Sequence, residues 1–333
     1  MYNVLDDNIL NAGSAMKLII QIPCYNEDKT LPEVINDLPK ELPGIDTIEY
    51  LVIDDGSSDR TVEVASQLGI HHVLSLGSNR GLAHAFLAGI GKCLDLGADI
   101  IVNTDGDNQY SGHCIGDLIV PVVEGKLDMV IGARPIDDIE HFSWLKKKLQ
   151  RAGSKVVRQF SGTRIPDTTS GFRAYSAEAA MRLHVFNRYT YTLETIIQAG
   201  HMNMRLGHVP IRINAKTRES RLISSIPKYI SRSVSIIIRS YITYQPFKTF
   251  FYCALVPGVI GAILCARFLY YYFSAASAAG HIQSLILAAI MLIIAFLLMV
   301  LGILADLIGA NRKLIQETLF NARKQMCKQN KNK

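Results

Sequence analysis

Apolar residues in the first two hundred positions come in short runs that end in polar turn residues, the pattern of strands buried in a sheet. Leu18-Ile19-Ile20-Gln21-Ile22, Tyr50-Leu51-Val52-Ile53, residues 72–76, Ile100-Ile101-Val102, Asp128-Met129-Val130-Ile131-Gly132 and residues 206–213 predict strands. Between them lie helical stretches: residues 31–42, with Thr30 as cap and Pro32 in the first turn, 61–68, the Ala-rich 81–96, and 112–124, interrupted by Pro121. Further helices are expected from Trp144 to about Ser161 and from Thr192 onward. Strands alternating with helices of this length imply right-handed crossovers and a mostly parallel α/β sheet.

The pattern changes near residue 222. Residues 223–244 mix apolar positions with Lys228, Arg232 and Arg239, which predicts one or two amphipathic helices lying in a membrane interface. Residues 249–266 carry no charge and continue through Arg267 to 273, and 284–305 form a second uncharged run. At about 1.5 Å per residue the second run is roughly 33 Å long, enough for a hydrocarbon core of about 30 Å. Pro257-Gly258 predicts a kink in the first span, and Arg267 beside Tyr270-Tyr271-Tyr272 reads as a snorkelling cation in an aromatic belt. Residues 274–282 contain no Lys or Arg, whereas Lys228, Arg232, Arg239 and Lys248 precede the hairpin and Arg312, Lys313, Arg323 and Lys324 follow it. The positive-inside rule then places both chain ends and the soluble domain in the cytoplasm. The expected organisation is a loose tail (1–16), an α/β domain (17–221), interface helices (222–247), a two-helix hairpin (248–308) and a basic tail (309–333).

Charge reinforces this division. Before residue 216 there are 20 Lys/Arg against 26 Asp/Glu, and from there on 15 against 3, within a net charge of +6. An acidic front and a basic, apolar rear fit a domain tied to an anionic membrane surface rather than to nucleic acid, because the basic residues flank long apolar runs. Residues 1–16 show no basic leader followed by an apolar core. Six scattered cysteines with no Cys-x-x-Cys pair argue against a zinc site or disulfide framework and suit a reducing compartment.

The candidate chemistry gathers where the strands end. Asp105 and Asp107, separated by Gly106, follow a buried strand and are spaced to share one hard cation, with Gln109 offering an amide oxygen on the same side. Asp-Gly-Asp is also an ordinary turn, and Asp54-Asp55-Gly56 is equally a turn with a helix cap. Three acidic loops on one sheet edge are nevertheless a coherent set. Tyr25 can stack on a base, Glu27 or Asp54 can accept hydrogen bonds from base or ribose, and Asp55 with the Asp105/Asp107 pair can face a diphosphate through a metal.

Ile22-Pro23-Cys24-Tyr25-Asn26-Glu27, Val52-Ile53-Asp54-Asp55-Gly56-Ser57-Ser58-Asp59-Arg60-Thr61, Asn79-Arg80-Gly81 and Asp105-Gly106-Asp107-Asn108-Gln109 resemble, in order, the signature of family-two glycosyltransferases with the Rossmann-like GT-A fold. The resemblance is to the polyprenyl-phosphate subgroup, relatives of dolichyl-phosphate mannose synthase and bacterial undecaprenyl-phosphate glucosyltransferases. It implies inverting transfer of a hexose, with a UDP-hexose favoured, from a nucleotide diphosphate sugar to a polyprenyl phosphate. It also implies homo-oligomers, some relatives being tetramers. Carried over by position, Pro23, Tyr25, Glu27, Asp54, Asp55, Arg80 and Glu194 would hold the donor, and Asp105, Asp107 and Gln109 would hold Mg²⁺ or Mn²⁺. Arg134, at a strand end, would meet the acceptor phosphate with Lys147, Arg151, Arg218 and Arg221. Asp167, in Asp-Thr-Thr-Ser-Gly-Phe-Arg, would orient groups near the acceptor, since a lipid phosphate is already an anionic nucleophile. A processive polysaccharide synthase is the first rival, but its Gln-x-x-Arg-Trp motif is absent: the only tryptophan is Trp144, preceded by Ser143. A catalytically silent, nucleotide-sugar-binding membrane adaptor is the second.

Overall fold

The computed structural model describes residues 15–135, 144–186, 190–214, 226–274 and 282–331. Its strands are β1 (Lys17–Cys24), β2 (Thr47–Asp54), β3 (His72–Ser75), β4 (Ile100–Asn103), β5 (Met129–Ala133), β6 (Arg173–Ser176) and β7 (Leu206–Pro210). They form one sheet in the order β3-β2-β1-β4-β6-β5-β7. All neighbours run parallel except β6, which is antiparallel to both β4 and β5. The expected α/β sheet is therefore present, with one inversion. Its Arg-Ala-Tyr-Ser strand is not among those the sequence pattern predicts, because four residues with one large apolar side chain carry no period-2 signal.

The helices are α1 (Leu31–Asp37), α2 (Thr61–Gln67), α3 (Leu82–Asp95), α4 (Ile115–Val123), α5 (Trp144–Ser161), α6 (Ala177–Arg182) and α7 (Thr192–His201). Helix α1 stops well short of residue 42 because Leu38 is extended (ψ 139°) ahead of Pro39. Thr30 does not cap it through its side chain, whereas Pro32 does sit in its first turn. Core residues Leu18, Ile20, Ile22, Val52, Ile100 and Val102 pack with Leu31, Val34, Leu118 and Ile119 on one face of the sheet. Helix α3 covers the other face, where Gly89 lets it approach Gln21 and Ile53. The direction of strand addition reverses between β1 and β4, so their carboxyl ends border a crevice at the topological switch point.

The chain divides into two compact units, one comprising residues 1–236 and 319–333 and the other 237–318. Helices α8 (Ile226–Tyr244), α9 (Pro246–Phe273) and α10 (Ile282–Lys331) follow the sheet domain, so the amphipathic stretch is a single helix as far as it is described. In the second unit α9 and α10 meet through small residues: Gly261 faces Leu292, a Cβ at Gly258 would lie 3.6 Å from Ala295 Cβ, and Ala254 and Ala288 are buried. Such contacts let helix backbones approach in an apolar medium. Both helices are long and apolar enough to cross a membrane, and they leave Val256, Ile263, Ile293 and Phe296 well exposed, which associates the chain with lipid. Residues 309–331 are helical and continue α10. In the first unit, Phe320 lies 3.8 Å beneath the Arg182 guanidinium, and Arg323 donates to the Met181 carbonyl at 2.8 Å.

At Gly89 a Cβ would press on the Gln21 amide and lie 2.8 Å from Ile53 Cδ1. Gly89→Val should therefore lower unfolding free energy by about 1–3 kcal/mol, read by urea denaturation of the detergent-solubilised protein.

Candidate active site

The loops after β1 and β2 are stitched to each other before any ligand is considered. Asn26, in the left-handed region at φ 56°, donates its N–H to Ser57 Oγ at 2.9 Å and accepts from the Ser58 N–H at 2.8 Å. The Glu27 N–H donates to Thr61 Oγ1 at 2.8 Å. Asp54 accepts from the Ser57 N–H at 2.9 Å and from the Ser75 hydroxyl at 3.0 Å. Asp55 accepts from the Arg80 and Gly81 N–H groups at 2.8 and 2.9 Å, so its carboxylate sets the turn that opens α3. Gly56, at φ 73°, is required here, because a Cβ would strike the Ser78 backbone and lie 2.6 Å from Asn79 N. Tyr25 and Arg80 remain exposed at the rim, while Pro23, Glu27, Asp54 and Asp55 are buried. Burial, and then the charges of Glu27, Asp54, Asp59 and Asp105, push the Cys24 thiol well above its ordinary pKa.

The loop after β4 joins the same rim. Gly106 packs so closely that a Cβ would lie 3.0 Å from Cys24 Sγ and 3.3 Å from Glu27 Cγ. The Thr30 hydroxyl sits 2.7 Å from the Gly106 carbonyl and 2.8 Å from Glu27 Oε2, linking two loops instead of capping α1. Asp107 Oδ1 accepts from the Gln109 N–H at 3.2 Å, with Asn108 at φ 55°. Asp105, Asp107 and Gln109 are half-buried. Among the described residues no group of three or more His, Cys, Asp or Glu is arranged to hold a metal. Two carboxylates and an amide oxygen are a hard donor set, and they fit a cation whose remaining ligands are waters and substrate oxygens.

On the far side of β4, Arg134 and Asp167 form a buried pair. Arg134 Nε donates to Asp167 Oδ2 at 2.6 Å, and Nη2 donates to Asp167 Oδ1 at 3.1 Å and Thr169 Oγ1 at 2.8 Å. Burial raises the Asp167 pKa, but the Arg134 charge and hydrogen bonds, with those from Thr169, outweigh it and leave the carboxyl below its usual range. Asp167 is thus an ionised partner that anchors the Arg134 guanidinium. Arg151, expected beside the acceptor, is exposed on α5. Lys147 lies on the same helix, its side chain outside the described residues, and Arg218 and Arg221 also lie outside them. Glu194 is buried on α7, where Oε1 accepts from the Phe186 N–H at 3.0 Å.

Sequence reasoning gave no role to Arg173, the largest fully buried side chain. It donates to the carbonyls of Ser170, Thr168 and Thr192 at 2.8, 3.1 and 3.0 Å and to Thr195 Oγ1 at 2.7 Å. It therefore fixes the 167–172 loop to α7. The only sequence signal was its place at the end of a Ser-Gly-Phe-Arg motif.

Residues 19–183 match the model for "Glycosyl transferase family 2". A UDP-N-acetylglucosamine--dolichyl-phosphate N-acetylglucosaminyltransferase of Methanococcus voltae is 30% identical over 220 residues, covering 60% of this chain and 86% of that protein. An undecaprenyl-phosphate mannosyltransferase of Micrococcus luteus is 28% identical over 222 residues, covering 63% and 89%. Among solved structures, glucosyl-3-phosphoglycerate synthase from Mycobacterium tuberculosis with Mn²⁺, UDP-glucose and phosphoglyceric acid superimposes with a TM-score of 0.56 at 17% identity. That match covers 68% of this chain and 80% of the other.

Arg173→Met would remove the guanidinium donor from the Ser170 and Thr168 carbonyls in the buried loop and from Thr195 Oγ1. At about 1 kcal/mol for each, the loss should be roughly 2–3 kcal/mol, measured by urea unfolding. For the Arg134–Asp167 pair, the depressed carboxyl contributes stability that is complete above about pH 4 and is lost as pH falls through the lowered value. Asp167→Asn should cost about 3–5 kcal/mol at pH 7 and flatten the acid limb of stability against pH.

Proposed function

The chain belongs to glycosyl transferase family 2, and from that premise we propose that it transfers a hexose from a UDP-sugar to a polyprenyl phosphate at the cytoplasmic face of a membrane, inverting the anomeric centre. The observation that carries this reading is the acidic rim at the switch point, in a chain that also bears two helices long and apolar enough to cross a membrane. The curated relatives support it: their names specify dolichyl-phosphate and undecaprenyl-phosphate, and the chain covers most of their length.

Tyr25, exposed at the rim, stacks on the base, and the β1 and β2 loops form the wall that receives the nucleoside. Asp105 and Asp107, with Gln109, would hold Mg²⁺ or Mn²⁺ against the diphosphate. When bound, the ion neutralises charge developing on the departing nucleoside diphosphate. Arg134, locked in place by Asp167, presents positive charge where the acceptor phosphate arrives, and Arg151 adds to that field. The phosphate oxygen attacks the anomeric carbon from the face opposite the leaving group and needs no general base. Helices α9 and α10 cross the bilayer twice and keep the site at its cytoplasmic surface, where the lipid head group lies.

Incubating the protein with a panel of labelled nucleotide sugars and short polyprenyl phosphates should yield one glycolipid. Asp107→Ala should reduce turnover about 100-fold or more with circular dichroism unchanged, and wild-type turnover in that variant would refute the reading. Arg134→Ala should raise KM for the acceptor more than KM for the donor.

A further inference from the structure

Behind the acidic loop runs a buried polar chain to which the transfer reaction gives no task. Gln21 Nε2 donates to Asn103 Oδ1 at 2.8 Å. Asn103 Nδ2 donates to the Gly171 carbonyl at 3.0 Å and to the Tyr191 hydroxyl at 2.8 Å. Tyr191 in turn donates to that carbonyl at 3.2 Å, while the Gly171 N–H donates to the Tyr110 hydroxyl at 3.1 Å. Gln21, Asn103 and Tyr191 are all completely buried. The Tyr191 ring is stacked on Phe86 with centroids 3.8 Å apart and planes 2° from parallel, so its hydroxyl is aimed by a rigid support.

This chain clamps the Gly171 peptide on both sides, and what lies against its α-carbon is Asp105. A Cβ at Gly171 would sit 3.0 and 3.1 Å from the two Asp105 carboxylate oxygens and 3.0 Å from the Tyr191 hydroxyl. Asn103 also ends β4, two residues before Asp105, so the same amide holds both the strand end and the surface on which the carboxylate rests.

We propose that Tyr191 is a positioning residue for Asp105. By holding Gly171 and Asn103 together, its hydroxyl keeps the Asp105 carboxylate in the orientation that meets a divalent cation. A carboxylate already confined in this way loses less torsional freedom on binding, and outer partners of metal-binding carboxylates commonly change affinity by about 10–100-fold. The inference rests on the reading that Asp105 holds such a cation with the donor diphosphate.

The test is Mn²⁺ binding by the full chain in detergent with UDP present, titrated by electron paramagnetic resonance, alongside thermal melting. Tyr191→Phe keeps the ring on Phe86 and should weaken Mn²⁺ binding about tenfold. Gly171→Ala, which fills the space beside Asp105, should do the same. Val122→Ala, a buried core variant in the last turn of α4, should lower the melting temperature and leave Mn²⁺ affinity at the wild-type value. Equal weakening in Val122→Ala would assign the effect to general destabilisation and overturn the proposal. Unchanged affinity in both Tyr191→Phe and Gly171→Ala, with Asp107→Ala failing to bind, would overturn this inference alone. Wild-type protein that binds no Mn²⁺ would overturn it together with the functional reading.

Discussion

The parallel pairing of β1 with β4 is the constraint from which the site follows. Its last register pair, Gln21 with Asn103, is also joined through side chains by a bond of 2.8 Å in the dry core. A buried amide pair of this kind is costly when unmatched and specific when satisfied, so it favours one register over a slipped one. Strand addition reverses at this pairing, and the loops after β1 and β4 meet there at the sheet edge. The close approach of Gly106 to Cys24 and Glu27 is the local consequence.

An acidic rim is unfavourable to build, since like charges in a partly buried setting repel. The fold offsets this by assigning most of the carboxylates hydrogen bonds from backbone amides and hydroxyls. Asp54 and Asp55 receive two each, and Asp59 accepts from the Thr61 hydroxyl and two N–H groups. Beyond β4 the compensation is ionic, in the Arg134–Asp167 pair. The two sides of the strand thus handle charge differently: carboxylates held by backbone amides and hydroxyls on one side, and a closed ion pair on the other.

Lipid association rests on different physics. Helices α9 and α10 touch through glycine and alanine and turn large apolar side chains outward, because van der Waals packing rather than water exclusion holds helices together in hydrocarbon. Helix α10 continues beyond this pairing without a break, and residues 319–331 belong to the sheet-bearing unit, where Phe320 and Arg323 make their contacts.

Much of this was legible without coordinates. Six of the seven strands, the two long apolar helices and the Asp105–Asp107 spacing follow from hydrophobic period, length and turn chemistry, all of which are local properties of the chain. Proximity between residues far apart in sequence was not legible. Asn103 meets Tyr191 and Gly171 across 88 and 68 positions, Thr30 gives up a capping role to bridge Glu27 and Gly106, and β6 enters the sheet inverted on four residues that carry no strand pattern. Local physics determined which segments are strands, helices and candidate ligands. Only the folded sheet decided which buried polar groups meet, because hydrogen-bond partners in a dry core are set by register and packing, and these exist only once distant segments have come together.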